Sequence, residues 1–204
     1  MGTDAAAARE LEREAAAIES FGGLLPPPVS APRILANEPG VLLLEAVAWR
    51  PRAQPWRLDA EVARAMGGFY RAGAGAPGAA VGPAHGDFAP WNLLRTSHGW
   101  VLIDWEDASA DEPCFLDLCH YVVQGHAMLG RPSRAAVVDG FRGGGGWVGQ
   151  AVGAYADGAG LPVAEAEKAL KSYLGTIEAK LRPMGVGEQD RWPRRKRLLE
   201  QLER

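Results

Sequence analysis

Apolar residues are spaced in two ways along this chain, and the change comes near residue 112. Before it, short apolar runs alternate with glycine- and proline-rich breaks; after it, apolar positions recur at helical spacing almost to the end. Residues 4–21 predict a first helix, alanine-rich, with Leu11, Ile18 and Phe21 at near-helical spacing. Pro26, Pro27 and Pro28 stop it, because successive prolines cannot continue a helix. GVLLLEAV, residues 40–47, predicts a buried strand, and PRAQP, residues 51–55, a loop. Leu58, Val62, Met66 and Phe69 then mark one face of a second helix, with Asp59 as its N-cap.

RAGAGAPGAAVGP, residues 71–83, reads as a low-complexity linker. Gly73, Gly75 and Gly78 spell GxGxxG, but a phosphate loop follows a strand and opens a helix. This one follows a helix and contains Pro77. The run Gly143 to Gly146 reads as a flexible connector. Pro113 is expected as the first residue of a helix, and Ser133 as the cap of another reaching Phe141. Trp147 to Tyr155, residues 163–182 and residues 188–203 are expected helices. Arg194, Arg195, Lys196 and Arg197 read as the solvated face of the last one.

Between these regimes stands HGDFAPWN, residues 85–92, followed by LLRTSHGWVLIDWED. Leu93 and Leu94 open one strand and Trp100 to Ile103 form a second. Ser97, His98 and Gly99 fit a three-residue hairpin loop with Gly99 left-handed. That loop sets Arg95 opposite Val101 and Asn92 opposite Asp104, on strands about 4.8 Å apart. An amide and a carboxylate then converge, with Asp87 on the loop leading in. Mg²⁺ takes hard oxygen ligands, one or two carboxylates among them, and keeps substrate phosphates and water. Asp104 is the expected charged ligand and Asn92 the neutral one, which leaves Asp87 free to accept a proton from a hydroxyl nucleophile. Alone, each of the three reads as a turn cap, and His85 as a hydrogen-bonded core residue. Their convergence favours chemistry.

The 204 residues suit one domain or one and a half. A net charge of −3 gives no bulk attraction to nucleic acid, and no apolar run reaches membrane-spanning length. Neither partner is expected. Cys114 and Cys119 make no disulfide framework, and with His120 and His126 they lack zinc spacing; Cys119 and His126 read as packing on one helix face. The N-terminus lacks a signal peptide's apolar core, so a cytoplasmic protein is the default expectation. The only lysines are Lys168, Lys171, Lys180 and Lys196.

HGDFAPWN followed by VLIDWED resembles the aminoglycoside phosphotransferase and choline kinase-like family, a branch of the protein-kinase-like fold. The resemblance implies an α+β chain: a mainly helical C-terminal lobe with a catalytic β-hairpin, residues 48–204, and a remnant N-terminal lobe, residues 1–47. It assigns Asp87 to the acceptor hydroxyl, His85 to support of the loop, and Asn92 and Asp104 to Mg²⁺ on ATP. Asp117 becomes an anchor for the catalytic loop. Glu45, Ala46 and Val47 match the hinge that binds adenine, and Glu14 matches the helix glutamate that pairs with an ATP-orienting lysine. Complete members carry strands and that lysine ahead of the helix; here no lysine precedes Lys168. The expected function is phosphate transfer from ATP–Mg²⁺ to a hydroxyl of a small molecule. The alternatives are a degenerate, truncated relative that binds a ligand or partner without chemistry, and a reading frame whose first strands lie upstream. Strand edges left by a shortened lobe allow a homodimer.

Overall fold

The computed structural model describes residues 5–76, 78–181 and 192–203; Pro77, the 182–191 segment and the start of the last expected helix lie outside them. Helix α1 (Ala5–Phe21) forms where its spacing predicts and buries Ala15, Ala17 and Ile18. A 3-10 turn, Gly22–Leu24, and the prolines follow. Strands β1 (Val29–Ser30), β2 (Ile34–Glu38) and β3 (Val41–Leu44) come next, with β2 and β3 an antiparallel pair. The expected buried strand is therefore half exposed: Val41 and Leu43 keep 56% and 53% of their surface. β3 has a neighbour on one side only, so a continuous apolar run here does not mean burial on both faces.

The chain continues through α2 (Ala60–Gly73), β4 (Val81–Ala84), β5 (Leu93–Arg95), β6 (Trp100–Leu102) and β7 (Ser109–Pro113). Among the described residues five helices close it: α3 (Leu116–Leu129), α4 (Arg134–Phe141), α5 (Gly146–Ala159), α6 (Glu165–Leu181) and α7 (Trp192–Leu202). Roughly half of the protein is helical, and the strands form three small sheets ordered β1-β6-β5, β2-β3 and β4-β7. This is a mixed α+β fold. Among the described residues no helix is long and apolar enough to cross a membrane.

Leu58, Val62, Met66 and Phe69 are all buried, as one helical face requires. Asp59 stands at the N-cap of α2, although its side chain makes no capping bond. α2 lies against α5 at close range: a Cβ on Gly67 would come 2.1 Å from the Tyr155 carbonyl oxygen, and one on Gly158 would come 2.1 Å from that of Arg64. Trp105, Phe69, Phe88, Phe115, Tyr121 and Phe141 fill the centre, each almost wholly buried. At about 1.5–3 kcal/mol per large apolar side chain, this cluster is the main stabilising term.

Three expectations change. Pro113 ends β7, paired with Val81 of β4, and α3 starts only at Leu116, after Phe115 turns the chain with φ of 63°. The 71–83 stretch is not all linker, since α2 runs to Gly73 and β4 begins at Val81; the glycine triplet leads into a strand. The basic cluster of α7 is only partly solvated. Lys196 and Arg197 are exposed, but Arg195 is 3% exposed and donates to Gln124 Oε1 at 3.0 Å, and Arg194 donates to the Ala127 carbonyl at 2.8 Å. Ser133 caps α4 as expected, accepting from the Ala136 amide.

Candidate active site

The hairpin pairs Leu93 with Leu102, Leu94 with Val101 and Arg95 with Trp100. Asn92 therefore stands opposite Ile103, whose amide donates to the Asn92 carbonyl at 3.0 Å, and not opposite Asp104. The register differs by one because Thr96 belongs to the loop: its amide donates to the Gly99 carbonyl at 2.9 Å, and its hydroxyl accepts from the His98 amide at 3.1 Å. Gly99 has φ of 144°, outside the left-handed helical region. A slip of one residue sends a strand's side chains to the opposite face. Asp104 escapes this because it has φ of 70° and leaves the strand direction. Its Oδ2 comes 3.5 Å from Asn92 Nδ2. A left-handed residue other than glycine costs about 1–2 kcal/mol, and such residues gather at functional sites.

β4 delivers the loop that carries Asp87. Asp117, 3% exposed on α3, accepts from the His85 amide at 2.9 Å and from the Gly86 amide at 3.1 Å. Burial pushes its carboxyl up to about 6 although both backbone bonds oppose this. His85 is wholly buried, with Nε2 3.1 Å from the Ile103 carbonyl and its ring 4.7 Å from that of Trp105. Burial pushes its pKa down to about 4, so at neutral pH the ring is uncharged and Nε2–H donates to Ile103. His85 thus ties the loop to the strand that precedes Asp104. Trp105 is pinned in turn by its indole N–H, which donates to the Leu102 carbonyl at 2.8 Å.

Asn92 is the hub. Its Nδ2 donates to Asp87 Oδ2 at 2.8 Å and to the Asp87 carbonyl at 3.0 Å, besides its approach to Asp104. The other Asp87 oxygen lies 2.8 Å from His120 Nε2. His120 is held from behind by the Tyr173 hydroxyl, 3.0 Å from Nδ1, and by Gln124, 3.1 Å from Nε2. Burial works against ionisation of Asp87, but bonds from His120 and Asn92 outweigh it and hold its pKa below the ordinary carboxylate value. Asp104 is displaced the other way, first by burial and then by the negative charges of Asp87 and Asp107.

Glu14 reaches the same place from α1. Burial raises its pKa; the Trp105 backbone opposes that rise, and the charge of Asp104 adds to it. Asp87, Asn92, Asp104 and Glu14 are thus brought together, with His85 behind them. Glu45, Ala46 and Val47 follow β3. The Glu45 carboxylate binds Arg33 at 2.8 Å, and its amide donates to the Arg33 carbonyl. Val47 accepts from the Trp49 amide. Among the described residues no hydrogen bond or ion pair joins these three to the other candidates. His120 is the residue that sequence reasoning missed, having been weighed only for zinc. The available signal was its spacing, one helical turn after Asp117 and so on the same face.

Among the described residues no three His, Cys, Asp or Glu side chains cluster as a ready-made cation cage. One carboxylate and one amide, with phosphate and water completing the shell, is instead the donor set that suits Mg²⁺. Asp104 sits in an unneutralised negative field, which a divalent cation would relieve. Asn92 turns its amide nitrogen toward the two carboxylates, so its oxygen becomes a ligand on rotation of the amide. The residues fit the ion.

A carboxylate beside an amide–carboxylate pair that fits a hard cation is a donor set compatible with phosphoryl transfer. Residues 71–159 match the model of the phosphotransferase enzyme family, APH, and this segment is similar to that family. The match runs from the end of α2 through the catalytic loop and hairpin to the last residue of α5. No curated protein gives a significant match.

Proposed function

We propose that this protein transfers the terminal phosphoryl group of ATP, with Mg²⁺, to a hydroxyl of a small polar molecule. The observation that carries the reading is Asn92 held between the carboxylates of Asp87 and Asp104. An acceptor oxygen attacks the terminal phosphorus, the bond to the bridging oxygen breaks, ADP leaves, and the hydroxyl proton passes to Asp87. Phosphoryl transfer runs through a loose transition state, so catalysis is mostly positioning and charge stabilisation. A carboxylate with a low pKa suffices to orient the hydroxyl and collect its proton late. Asp104 and Asn92 would hold Mg²⁺, which when bound neutralises charge on the phosphate oxygens. His85 and Asp117 fix the loop, and the backbone of residues 45–47 would bind adenine. In this reading residues 1–47 belong to one lobe and residues 48–204 to the other, in a cytoplasmic enzyme.

A second reading has one specific support. No lysine precedes Lys168, and the charged group acting on Glu14 is Asp104, not a cation. A Glu14 with no cationic partner among the described residues suits a protein that binds a ligand and performs no chemistry. Nucleotide titration with and without Mg²⁺ separates the two. The enzyme reading expects Asp104→Ala to lose only the Mg²⁺-dependent part of ATP affinity. It expects Asp87→Asn to keep that affinity while turnover falls by about 10²–10⁴-fold. No binding at millimolar ATP would favour the degenerate relative.

A further inference from the structure

The ends of α3, α4 and α7 enclose a shallow pocket of ≈ 380 Å³ lined by His126, Gly130, Arg134, Arg194 and Arg197. Every ionisable side chain in that lining is basic. Arg134 and Arg197 are exposed and make no hydrogen bond or ion pair with any described residue. Arg194 donates one nitrogen to the Ala127 carbonyl, which fixes it over Gly130. Glu200 lines an adjoining depression shared with Arg134 and Arg197. A protein of net charge −3 thus keeps three guanidinium groups around one pocket, with no carboxylate among the described residues that line it.

Arg134 makes the arrangement costlier. It is the first residue of α4, whose first turn holds no acidic side chain. A cation at the positive end of a helix dipole is unfavourable, and an anion there is favourable. His126 lies beside them: its Nδ1 is 2.8 Å from the Pro132 carbonyl, so that nitrogen carries a proton. Burial, then the backbone bond to Pro132 in the opposite sense, then the charges of Arg194 and Arg134 set its titration, with the net effect a lowered pKa.

We propose that this pocket is a binding site for a phosphate group, free or carried by a small phosphorylated molecule. Guanidinium groups recognise phosphate oxygens in bidentate fashion, and three of them from two helices can surround one group. The volume leaves room for a small organic portion beside it. A bound dianion would bridge α4 to α7 and favour protonation of His126. This site does not rest on the phosphotransferase reading and involves none of its residues.

The test is calorimetric titration of the full chain with inorganic phosphate and pyrophosphate, without nucleotide or Mg²⁺, at constant ionic strength. Saturable binding is expected. Arg134→Gln and Arg197→Gln should each weaken it by about tenfold or more, as loss of a charge-assisted hydrogen bond implies. Asp104→Ala should leave it unchanged. A phosphate ester binding more tightly than inorganic phosphate would identify a phosphorylated small molecule as the occupant; equal affinities would identify the free ion. Absence of saturable binding, an effect matched by chloride, or full affinity in the Arg134→Gln, Arg197→Gln double variant would each overturn the proposal. Both arginines are exposed, so the variants should fold.

Discussion

Replacing Gly86 by alanine tests how the loop that carries Asp87 is held. Gly86 sits between His85 and Asp87 with φ of 83°, and a Cβ there would lie 2.2 Å from the Asp107 carbonyl oxygen. Two costs follow. The left-handed backbone alone costs a side-chain-bearing residue about 1–2 kcal/mol. The contact with fixed backbone adds a further ~1–3 kcal/mol, the range for overpacking. Gly75 supplies the control, since it has φ of 71° and nothing within 4 Å of an added Cβ. Gly75→Ala should therefore show only the first cost. In urea unfolding, Gly86→Ala should lose roughly 2–5 kcal/mol and Gly75→Ala about 1–2 kcal/mol. For a chain of this size each kcal/mol lowers Tm by about 2–4 °C, so the two variants should separate clearly by calorimetry as well. If Gly86→Ala is no less stable than Gly75→Ala, the close approach of the loop to Asp107 is wrong, and with it the position given to Asp87.

His120→Ala should raise the pH at which the Asp87 carboxyl titrates, because His120 supplies the largest of the effects that lower it; a carbon-detected NMR titration in which Asp87 is unmoved would remove His120 from its role. The same variant leaves the buried Tyr173 hydroxyl without its His120 partner, a loss of about 1–3 kcal/mol in urea unfolding. His85 and Asp117 act in opposite senses on stability against pH. His85, lowered to about 4 in the fold, contributes stability above pH ~6.5 that is lost as pH falls through about 4. Asp117, raised to about 6, contributes stability at low pH that is lost as pH rises through about 6. Each shift corresponds to about 3 kcal/mol, so the two nearly cancel between these limits. Asp117→Asn should therefore lose about 3 kcal/mol more than wild type on acidification from pH 6 to 4; parallel curves would show that Asp117 does not titrate there. Leu35, Val41 and Leu43 expose apolar surface on the β2–β3 pair. If this face supports a homodimer, Val41→Thr with Leu43→Thr should shift sedimentation toward the monomer, and a monomeric wild type would dismiss the dimer.

Much of the fold was legible where one physical signal acted alone. The face Leu58, Val62, Met66 and Phe69 needed only periodicity, and Ser133 only the capping preference of serine. Signals failed where tertiary pairing decided. β3 looked buried because its residues are apolar, yet burial depends on how many neighbours a strand has. β1 has two residues and exists only through its parallel pairing with β6, which no local pattern reveals. Pro113 has a helix-starting composition behind it, but β7 claims it for a sheet. Arg195 lies in a run of four basic residues, and nothing in that run says which one turns inward to Gln124.

The hairpin shows why the grouping of Asn92 with Asp104 survived an error in its derivation. The two residues do not face each other across the ladder, since Asn92 stands opposite Ile103. What brings them together is the departure of Asp104 from the ladder, and that departure is held by its neighbours on both sides. Ile103 accepts from His85 through its carbonyl and donates to Asn92 through its amide; Trp105 is fixed by Leu102 and packs on His85. His85 is in turn placed by Asp117 through its backbone amide. The strained residue therefore sits between two anchored ones, so relaxing its backbone would break contacts that bury His85 and Trp105. Asn92 completes the lock by giving its amide nitrogen to Asp87 and approaching Asp104 with the same atom. Two carboxylates that repel each other share one donor, an arrangement that a divalent cation can take over with little movement beyond the turn of one amide.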